Sequence, residues 1–163
     1  KTCAEKCTQG SLKQLNRMRA TEGKTFADDL ANIVANIGEA LSKAEQRAPK
    51  VVEEYSQKLR AKITELLSGV EIDEARLLNE TAFFADKADI NEEISRLHSH
   101  IAQFTSALSS DQPQGRNLDF ISQEMGREIN TMGSKSNDTE LTNLVVYMKN
   151  ELEKIKEQIR NVE

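Results

Sequence analysis

Two segments in the second half of the chain carry acidic, basic and imidazole side chains at helical spacing. In the first, Asp89, Glu93, Arg96 and His100 follow one another at steps of four, three and four residues. These steps place the four side chains on one edge of a helix, beside its apolar stripe. Carboxylate oxygens combined with an imidazole nitrogen suit Mn²⁺ and related divalent ions. A neighbouring guanidinium can bind a phosphate through two parallel hydrogen bonds.

The second segment predicts a helix with two polar edges. Glu124, Glu128, Thr131 and Lys135 share one edge. Amide and hydroxyl side chains lower helix propensity, so a run of them beside charged residues indicates that they bind specific partners rather than only occupy surface positions. The side chains of the adjoining edge are Gln123, Arg127, Asn130 and Ser134.

An antiparallel hairpin of these two helices would bring Glu124 and Glu128 close to Glu93 and His100. Two or three converging carboxylates can hold a divalent ion that activates water or stabilises a phosphoryl transition state. The same pattern also suits a solvated stripe of surface ion pairs, or a network of salt bridges between the helices. The spacing alone leaves all three interpretations open.

The composition of the chain predicts an all-α protein. Its 163 residues have a formal net charge of −5, and 37% are hydrophobic, 4% are aromatic and none is Trp. β-Sandwiches use more aromatic and β-branched residues, and doubly wound α/β folds use short Val/Ile runs followed by glycine-rich turns. Neither pattern is present, and no glycine-rich phosphate loop or serine nucleophile motif occurs.

The charge and hydropathy patterns also limit which partners the chain can bind and where in the cell we expect it. The negative net charge argues against a nonspecific nucleic-acid coat, which needs clustered Lys and Arg. A nuclease is still compatible with it, because several basic side chains keep positive charge around the candidate site. No segment approaches the roughly 20 apolar residues needed to cross a bilayer, and no secretory signal is recognisable. We therefore expect no membrane association and a cytoplasmic location.

Apolar residues recur at steps of three and four along most of the chain, which indicates a series of helices. A first helix is predicted to end before Pro49 and a second to begin there, because proline is favoured at a first helical position. The two predict a long antiparallel hairpin over residues 1–70. Residues 71–163 are predicted to form a helical C-terminal domain.

Four further helices are predicted after the hairpin. Asp73 can cap the third helix, and Asp89 and Glu92 give the fourth a capping-box start. The fifth runs from about Asn117 to near Gly133, and Asn137 or Asp138 caps the last. The last helix is too long to be covered by the core of this chain alone, so we expect its coiled-coil-like seam to pack against another helix, with another subunit as a further option. The seam residues are Leu141, Val145, Met148, Leu152, Ile155, Ile159 and Val162.

A series of motifs extends over nearly the whole chain. In order they are 17–23 (RMRATEG), 85–93 (ADKADINEE), 96–100 (RLHSH), 115–120 (GRNLDF), 123–131 (QEMGREINT), 134–136 (SKS) and 157–163 (EQIRNVE). In type and order they resemble the carboxy-terminal portion of the YicC/YloC family of bacterial stress-associated endoribonucleases. The polar positions that match the family motifs are Glu80, Asp86, Asp89, Glu92, Glu93, Arg96, His100, Gln123, Glu124, Arg127, Glu128, Asn130 and Lys135.

The resemblance implies a metal-dependent endoribonuclease that favours Mn²⁺, with Mg²⁺ as the alternative. It also implies an RNA substrate, a homo-oligomer that is hexameric, and an amino-terminal domain of about equal length ahead of this segment. Family members act in stress-related RNA turnover, which the resemblance therefore also implies for this chain.

On this basis we hypothesise that carboxylates and one imidazole organise a divalent ion for RNA cleavage, while basic side chains bind the phosphates. The predicted catalytic residues are Glu93, His100, Glu124 and Glu128. The predicted metal ligands are the same four residues with Asp89 as outer support. The predicted RNA contacts are Arg96, Arg116, Arg127 and Lys135. One ion with a general base and a pair of ions both remain open.

The alternative is a noncatalytic helical oligomerisation scaffold, or an RNA-binding module of a larger protein. In that interpretation the seam of the last helix mediates assembly, and the polar stripes are salt bridges between subunits. Substitution of the stripe carboxylates would then disrupt oligomers before it affected any activity.

Overall fold

The computed structural model describes residues 3–67, 72–110 and 112–162, and the regular elements in these ranges are all helices. In chain order they are α1 (Cys3–Leu67), α2 (Glu74–Ala88), α3 (Asn91–Leu108), α4 (Gly115–Lys135) and α5 (Thr139–Val162). The predicted all-α class is confirmed. Within the same ranges, no helix has a stretch long and apolar enough to span a bilayer.

The middle of α1 forms a four-helix bundle with α3, α4 and α5. Contacts join α1 to α3, α3 to α4, α4 to α5 and α5 back to α1, so the four helices form a ring. Neighbours in this ring run antiparallel, as cross-helix pairs such as Asn36 with Glu151 and Glu93 with Lys135 show. The side chains that fill the centre are Leu30, Ile37, Leu41, Leu97, Phe104, Met125, Ile129, Met132, Met148, Leu152 and Ile155.

The apolar seam of α5 is buried within this single chain. The six described seam residues from Leu141 to Ile159 are at most 5% exposed, because α5 packs against α4 on one side and α1 on the other. The predicted seam is therefore confirmed, as is its packing against other helices, and these six residues need no second subunit to cover them. Val162, the last predicted member, has a side chain outside the described residues.

Two glycines of α4 let α5 approach closely. A Cβ atom at Gly126 would lie 3.3 Å from Leu152 Cδ2, and one at Gly133 would lie 3.1 Å from Val145 Cγ1. Glycine lowers helix propensity by about 1 kcal/mol relative to alanine. Here that cost is offset by the close packing of two seam side chains against the α4 backbone.

Helix α1 continues through Pro49, so the predicted break and turn at this residue are wrong. A proline inside a helix removes one backbone hydrogen bond and clashes with the preceding turn, at a cost of about 3 kcal/mol. Tertiary packing on both sides offsets this cost, since Ala44 is fully buried and Val51 is 7% exposed. The division of the chain near residue 70 stays a prediction.

The antiparallel partner of the second half of α1 is α2. Asp73 caps α2 as predicted, with its carboxylate accepting a hydrogen bond from the Arg76 backbone N–H. The Tyr55 and Phe84 rings stack between the two helices, with their centroids 3.7 Å apart. Because this part of the structure is only two helices thick, Leu78 and Phe83 remain exposed.

Arg47 connects α1 to the start of α5. Its guanidinium binds both carboxylate oxygens of Glu54, at 2.5 and 2.9 Å, and so bridges the turn that contains Pro49. The same group binds Asp138 at 2.8 and 3.1 Å. Asp138 also accepts a hydrogen bond from the Leu141 backbone N–H at 3.0 Å, which confirms it as the predicted cap of α5. The hydrogen bonds from Arg47 lower the pKa of Asp138 to about 2.

We predict that Asp138→Ala lowers the free energy of unfolding by about 1–2 kcal/mol at pH 7, because it removes both the cap and the Arg47 partner. Asp138→Asn should cost less, because an amide oxygen still caps the helix. Urea unfolding of the two variants and the parent chain measures this difference.

The Asp138→Asn comparison also predicts a pH dependence. A carboxylate with a lowered pKa stabilises the fold above its unfolded value, and this contribution is lost as the pH falls through the folded value. The advantage of the parent chain over Asp138→Asn should therefore be complete above about pH 5, be mostly lost as the pH falls to about 2, and vanish below that. A constant difference between pH 7 and pH 2 would contradict the role given to the Arg47 pair.

Candidate functional site

The predicted polar edge of α3 faces α4, and its most buried charged member is Glu93. The Glu93 side chain is 7% exposed, and its Oε1 atom accepts a hydrogen bond from Lys135 Nζ at 2.8 Å. Its other oxygen, Oε2, is buried and has no hydrogen-bond partner among the described residues. The bond to Glu93 raises the pKa of Lys135, and the charges of Asp89 and Glu92 add to this effect.

Arg96 lies between a carboxylate of its own helix and one of α4. It donates a hydrogen bond to Glu92, one turn earlier, and its Nη1 atom is 3.8 Å from Glu128 Oε1. The Glu128 side chain is 11% exposed, whereas that of Arg96 is 57% exposed. Arg96 therefore compensates a buried carboxylate while it keeps more than half of its surface open to solvent.

Glu124 and Arg127 form a second acid–base pair on α4. Arg127 Nη1 is 2.7 Å from Glu124 Oε1, and the Arg127 side chain is 73% exposed. The pair joins residues one turn apart on a single helix, so it adds little to the stability of the fold. Arg127 therefore gives the site a second accessible guanidinium, on the same helix as Glu128.

His100 occupies the next turn of α3 after Arg96. The antiparallel register set by Glu93–Lys135 and Arg96–Glu128 places it opposite Glu124, yet no ion pair joins the two side chains in the described part of the chain. The ring is half-buried, and its Nδ1 atom is buried without a hydrogen-bond partner among those residues. Nε2 is therefore the ring nitrogen that a ligand could reach.

Asp89 lies just before α3 and binds a backbone amide in the first turn of that helix. Its Oδ1 atom accepts a hydrogen bond from the Asn91 backbone N–H at 2.9 Å, two residues on. The predicted capping box, with a bond three residues on and Glu92 reaching back, is wrong. The helix starts one residue later than predicted, after Ile90, so the carboxylate reaches only the first helical amide and Glu92 is left to bind Arg96.

Arg116 lies apart from the other predicted RNA contacts. It stands in the first turn of α4, while Lys135 is the last residue of that helix. At 1.5 Å per residue the two positions are about 28 Å apart. The structure therefore brings together Glu93, Arg96, Glu128 and Lys135, with His100 and Glu124 one turn further on, and leaves Arg116 at the opposite end of the bundle.

The predicted donor set does not fit a metal ion as it is arranged in this chain. The described residues contain no group of three His, Cys, Asp or Glu side chains that could hold one. The carboxylates are directed to other partners, since Glu93 binds Lys135 and Glu124 binds Arg127. The divalent ion stays a prediction from the resemblance, and no catalytic step is derived through it.

Two partners at this site were missed from the sequence. Glu92 was treated as a capping residue, although its spacing of four residues before Arg96 is a signal for an ion pair within the helix. His98 is 47% exposed, and its Nε2 atom lies 3.6 Å from Glu45 Oε2 of α1. That contact joins residues far apart in the chain, and no local pattern indicates it.

The family model and the curated relatives that match this chain agree with each other. The family model described as "Endoribonuclease YicC-like, C-terminal" matches residues 44–163. A protein of Clostridioides difficile strain 630, named probable endoribonuclease YicC, is 47% identical over 156 residues, which cover 95% of this chain and 53% of that protein. A protein of the same name from Haemophilus influenzae Rd is 31% identical over 146 residues, which cover 90% and 50%. The chain spans about half the length of the curated relatives it matches.

The Glu93–Lys135 pair predicts an asymmetry between two substitutions. Lys135→Gln should lower the free energy of unfolding by about 2 kcal/mol, because it leaves a buried carboxylate without its cation. Glu93→Gln should cost less than about 1 kcal/mol, because Lys135 is partly exposed and can turn to water. Urea unfolding of both variants and of Glu93→Gln/Lys135→Gln tests this, and equal losses for the two single variants would contradict it.

The cation pairing of the carboxylates predicts that this chain by itself takes up no Mn²⁺ at the α3–α4 face. Calorimetric titration of MnCl₂ into chelator-treated protein should give only the heat of dilution. Glu93→Gln and Glu124→Gln are the matched variants. Saturable binding by the parent chain that both substitutions abolish would contradict this prediction and restore the metal site between the two helices.

Proposed function

The chain belongs to the YicC-like endoribonuclease family, and we propose that it forms the helical, RNA-contacting part of an enzyme that cleaves RNA internally. The observation that carries this proposal, beside family membership, is the α3–α4 face around Arg96. There Arg96, with an accessible guanidinium, and His100, with a half-buried imidazole, lie one turn apart on α3, and Arg127 of the facing helix α4 supplies a second accessible guanidinium. These are the groups that phosphodiester cleavage uses to stabilise charge and move a proton.

In the proposed mechanism, Arg96 and Arg127 bind the phosphate that is cleaved. Negative charge grows on the phosphoryl oxygens in the transition state, and a guanidinium that is already in place stabilises it there. Glu128 and Glu92 act as positioning residues for Arg96, because their carboxylates fix its guanidinium from two sides. Lys135, held by Glu93, binds a neighbouring phosphate.

His100 is the candidate for proton transfer. Its Nε2 atom is the more accessible ring nitrogen, and imidazole is the side chain that most often acts as a general acid or base in enzymes. We propose that this nitrogen accepts the proton of the attacking oxygen, whether that oxygen belongs to water or to the 2′-hydroxyl of the RNA. As the new bond to phosphorus forms, the bond from phosphorus to the leaving RNA oxygen breaks, and that oxygen takes up a proton from solvent.

Several finer features of the proposed enzyme rest on the family alone. Dependence on Mn²⁺ or Mg²⁺, assembly as a homo-oligomer with six subunits, a place in stress-related RNA turnover and a cytoplasmic location stay predictions. Because the chain spans half of its relatives, RNA cleavage is a proposal for the full-length protein that contains it.

A noncatalytic scaffold is the second candidate, and one observation favours it. Glu93 and Glu128 are paired with Lys135 and Arg96 inside the chain, which is what a purely structural network requires. The exposed side chains of Val146 and Tyr147 on α5 would give such a scaffold an apolar contact surface. The salt bridges would then lie within one subunit rather than between subunits.

The two candidates differ in what loss of Arg96 or His100 does to RNA cleavage. In the full-length protein, Arg96→Gln and His100→Gln should each lower kcat/KM for a fluorescently labelled RNA by about 100-fold, as expected for one charge donor or one proton-transfer group. Arg76→Gln, which removes an exposed arginine of α2, is the matched control and should leave the rate within about twofold of the parent.

Unfolding curves recorded in parallel show whether each variant keeps its fold. Rates equal to those of the parent in both the Arg96 and the His100 variants would overturn the catalytic assignment. If stability changes while cleavage does not, the scaffold is the better explanation of this face.

A further inference from the structure

The first part of α1 extends beyond the bundle. We call residues 3–25 the N-terminal arm, because Phe26 is the first of the described side chains of α1 that packs against the core. The described side chains between Ser11 and Thr25 are all exposed. At 1.5 Å per residue the arm is about 35 Å long.

The arm has the opposite charge from the rest of the chain. Residues 1–25 contain six Lys or Arg and two Glu, a net charge of +4, whereas residues 26–163 have a net charge of −9. The basic character of the arm is hidden in the overall value of −5. A polyanion approaching the protein would therefore meet its most favourable potential at the arm.

Three described basic residues of the arm form a stripe. Lys13, Arg17 and Lys24 are four and seven residues apart, and on an α-helix they lie within about 40° of one another. All three are exposed, and the salt bridges of the described residues include none to them. The nearby hydroxyls of Thr21 and Thr25 bond to backbone carbonyls of their own helix and do not occupy the basic groups.

Three basic side chains of the bundle are in a different situation. Arg47, Arg127 and Lys135 each bind a carboxylate at 2.5–2.8 Å within the chain. Their charge is therefore partly neutralised before any ligand arrives. Among the described residues no carboxylate forms an ion pair with the stripe, so its ammonium and guanidinium groups are open to an anion from outside.

We infer that Lys13, Arg17 and Lys24 bind the phosphate backbone of RNA at a site separate from the α3–α4 face. This inference rests on the proposed function, which supplies RNA as the polyanion. The stripe has charge but no aromatic side chain, so it contacts phosphates without stacking on bases and does not select sequence. Its role is to hold the RNA strand to one side of the bundle while the α3–α4 face contacts the phosphate that is cleaved.

The test uses the 163-residue chain and a fluorescein-labelled oligonucleotide of 20 uridines. Fluorescence anisotropy gives Kd between 50 and 200 mM KCl for the parent and for the triple variant Lys13→Gln/Arg17→Gln/Lys24→Gln. Glutamine has nearly the helix propensity of lysine and arginine, so the arm stays helical. The matched control is Lys43→Gln/Lys50→Gln/Lys62→Gln, which removes three exposed charges from later parts of the same helix.

The arm variant should bind about tenfold to 100-fold more weakly at 100 mM KCl, and its slope of log K against log salt should fall by about 2, or 0.7 per lost phosphate contact. The control should change Kd by less than about threefold. An unchanged Kd in the arm variant, an equal loss in the control, or no binding by the parent at 50 mM KCl would each overturn the inference.

Two further measurements distinguish this inference from binding of an acidic protein surface and from the proposed function. A labelled polyglutamate of 20 residues tests for an acidic protein surface, and equal affinity for this peptide and for RNA would overturn the assignment to RNA. Cleavage by the full-length protein tests the proposed function independently. Cleavage by the parent together with unchanged RNA binding in the arm variant would refute the arm site and leave the proposed function standing.

Discussion

The antiparallel packing of α1 against α5 is the constraint on which the rest of the structure depends. Because α1 also contacts α2 and α3, its course fixes the position of every other helix except α4, which α3 and α5 then enclose. Arg47 fixes the register of this packing at one end, where it binds Asp138 at the start of α5. The close approach of α4 at Gly126 completes the ring and sets the distance across which α3 and α4 present their polar edges.

Local patterns predicted most of this fold, and tertiary contacts decided the rest. The seam of α5 and the caps at Asp73 and Asp138 follow from spacing and from side chains that bond to amides three residues on, so the sequence indicates them. The course of α1 through Pro49 does not follow, because the local penalty of proline is outweighed by packing against helices distant in sequence. Periodicity describes one helix at a time, so it cannot show which helix compensates a break in another.

At the candidate site, too, local spacing predicts some features and tertiary contacts decide the others. Spacing placed Glu93, Arg96 and His100 on one edge of α3 and Glu128 with Lys135 on one edge of α4, and the antiparallel pair brings these edges together. What spacing did not reveal is which charges neutralise each other. The spacing predicts that Lys135 binds RNA and that Glu93 binds a metal, but the two side chains bind each other. Burying a carboxylate away from water is costly unless a cation lies beside it, and Lys135 is the cation that the fold places there. The cations at this face that keep most of their surface open to solvent are Arg96 and Arg127.

The length of α1 has a mechanical consequence. A single helix of about 97 Å passes through the bundle, with the N-terminal arm at one end and the portion paired with α2 at the other. Because Pro49 lies well after the arm, no proline kink separates the arm from the portion of α1 that packs against α5 in the core, so a tilt of that portion also tilts the arm. A tilt of about 10° at the edge of the bundle would move the far end of the 35 Å arm by about 6 Å. Small adjustments in the packing of α1 on α5 are thereby converted into large displacements of a distant charged surface.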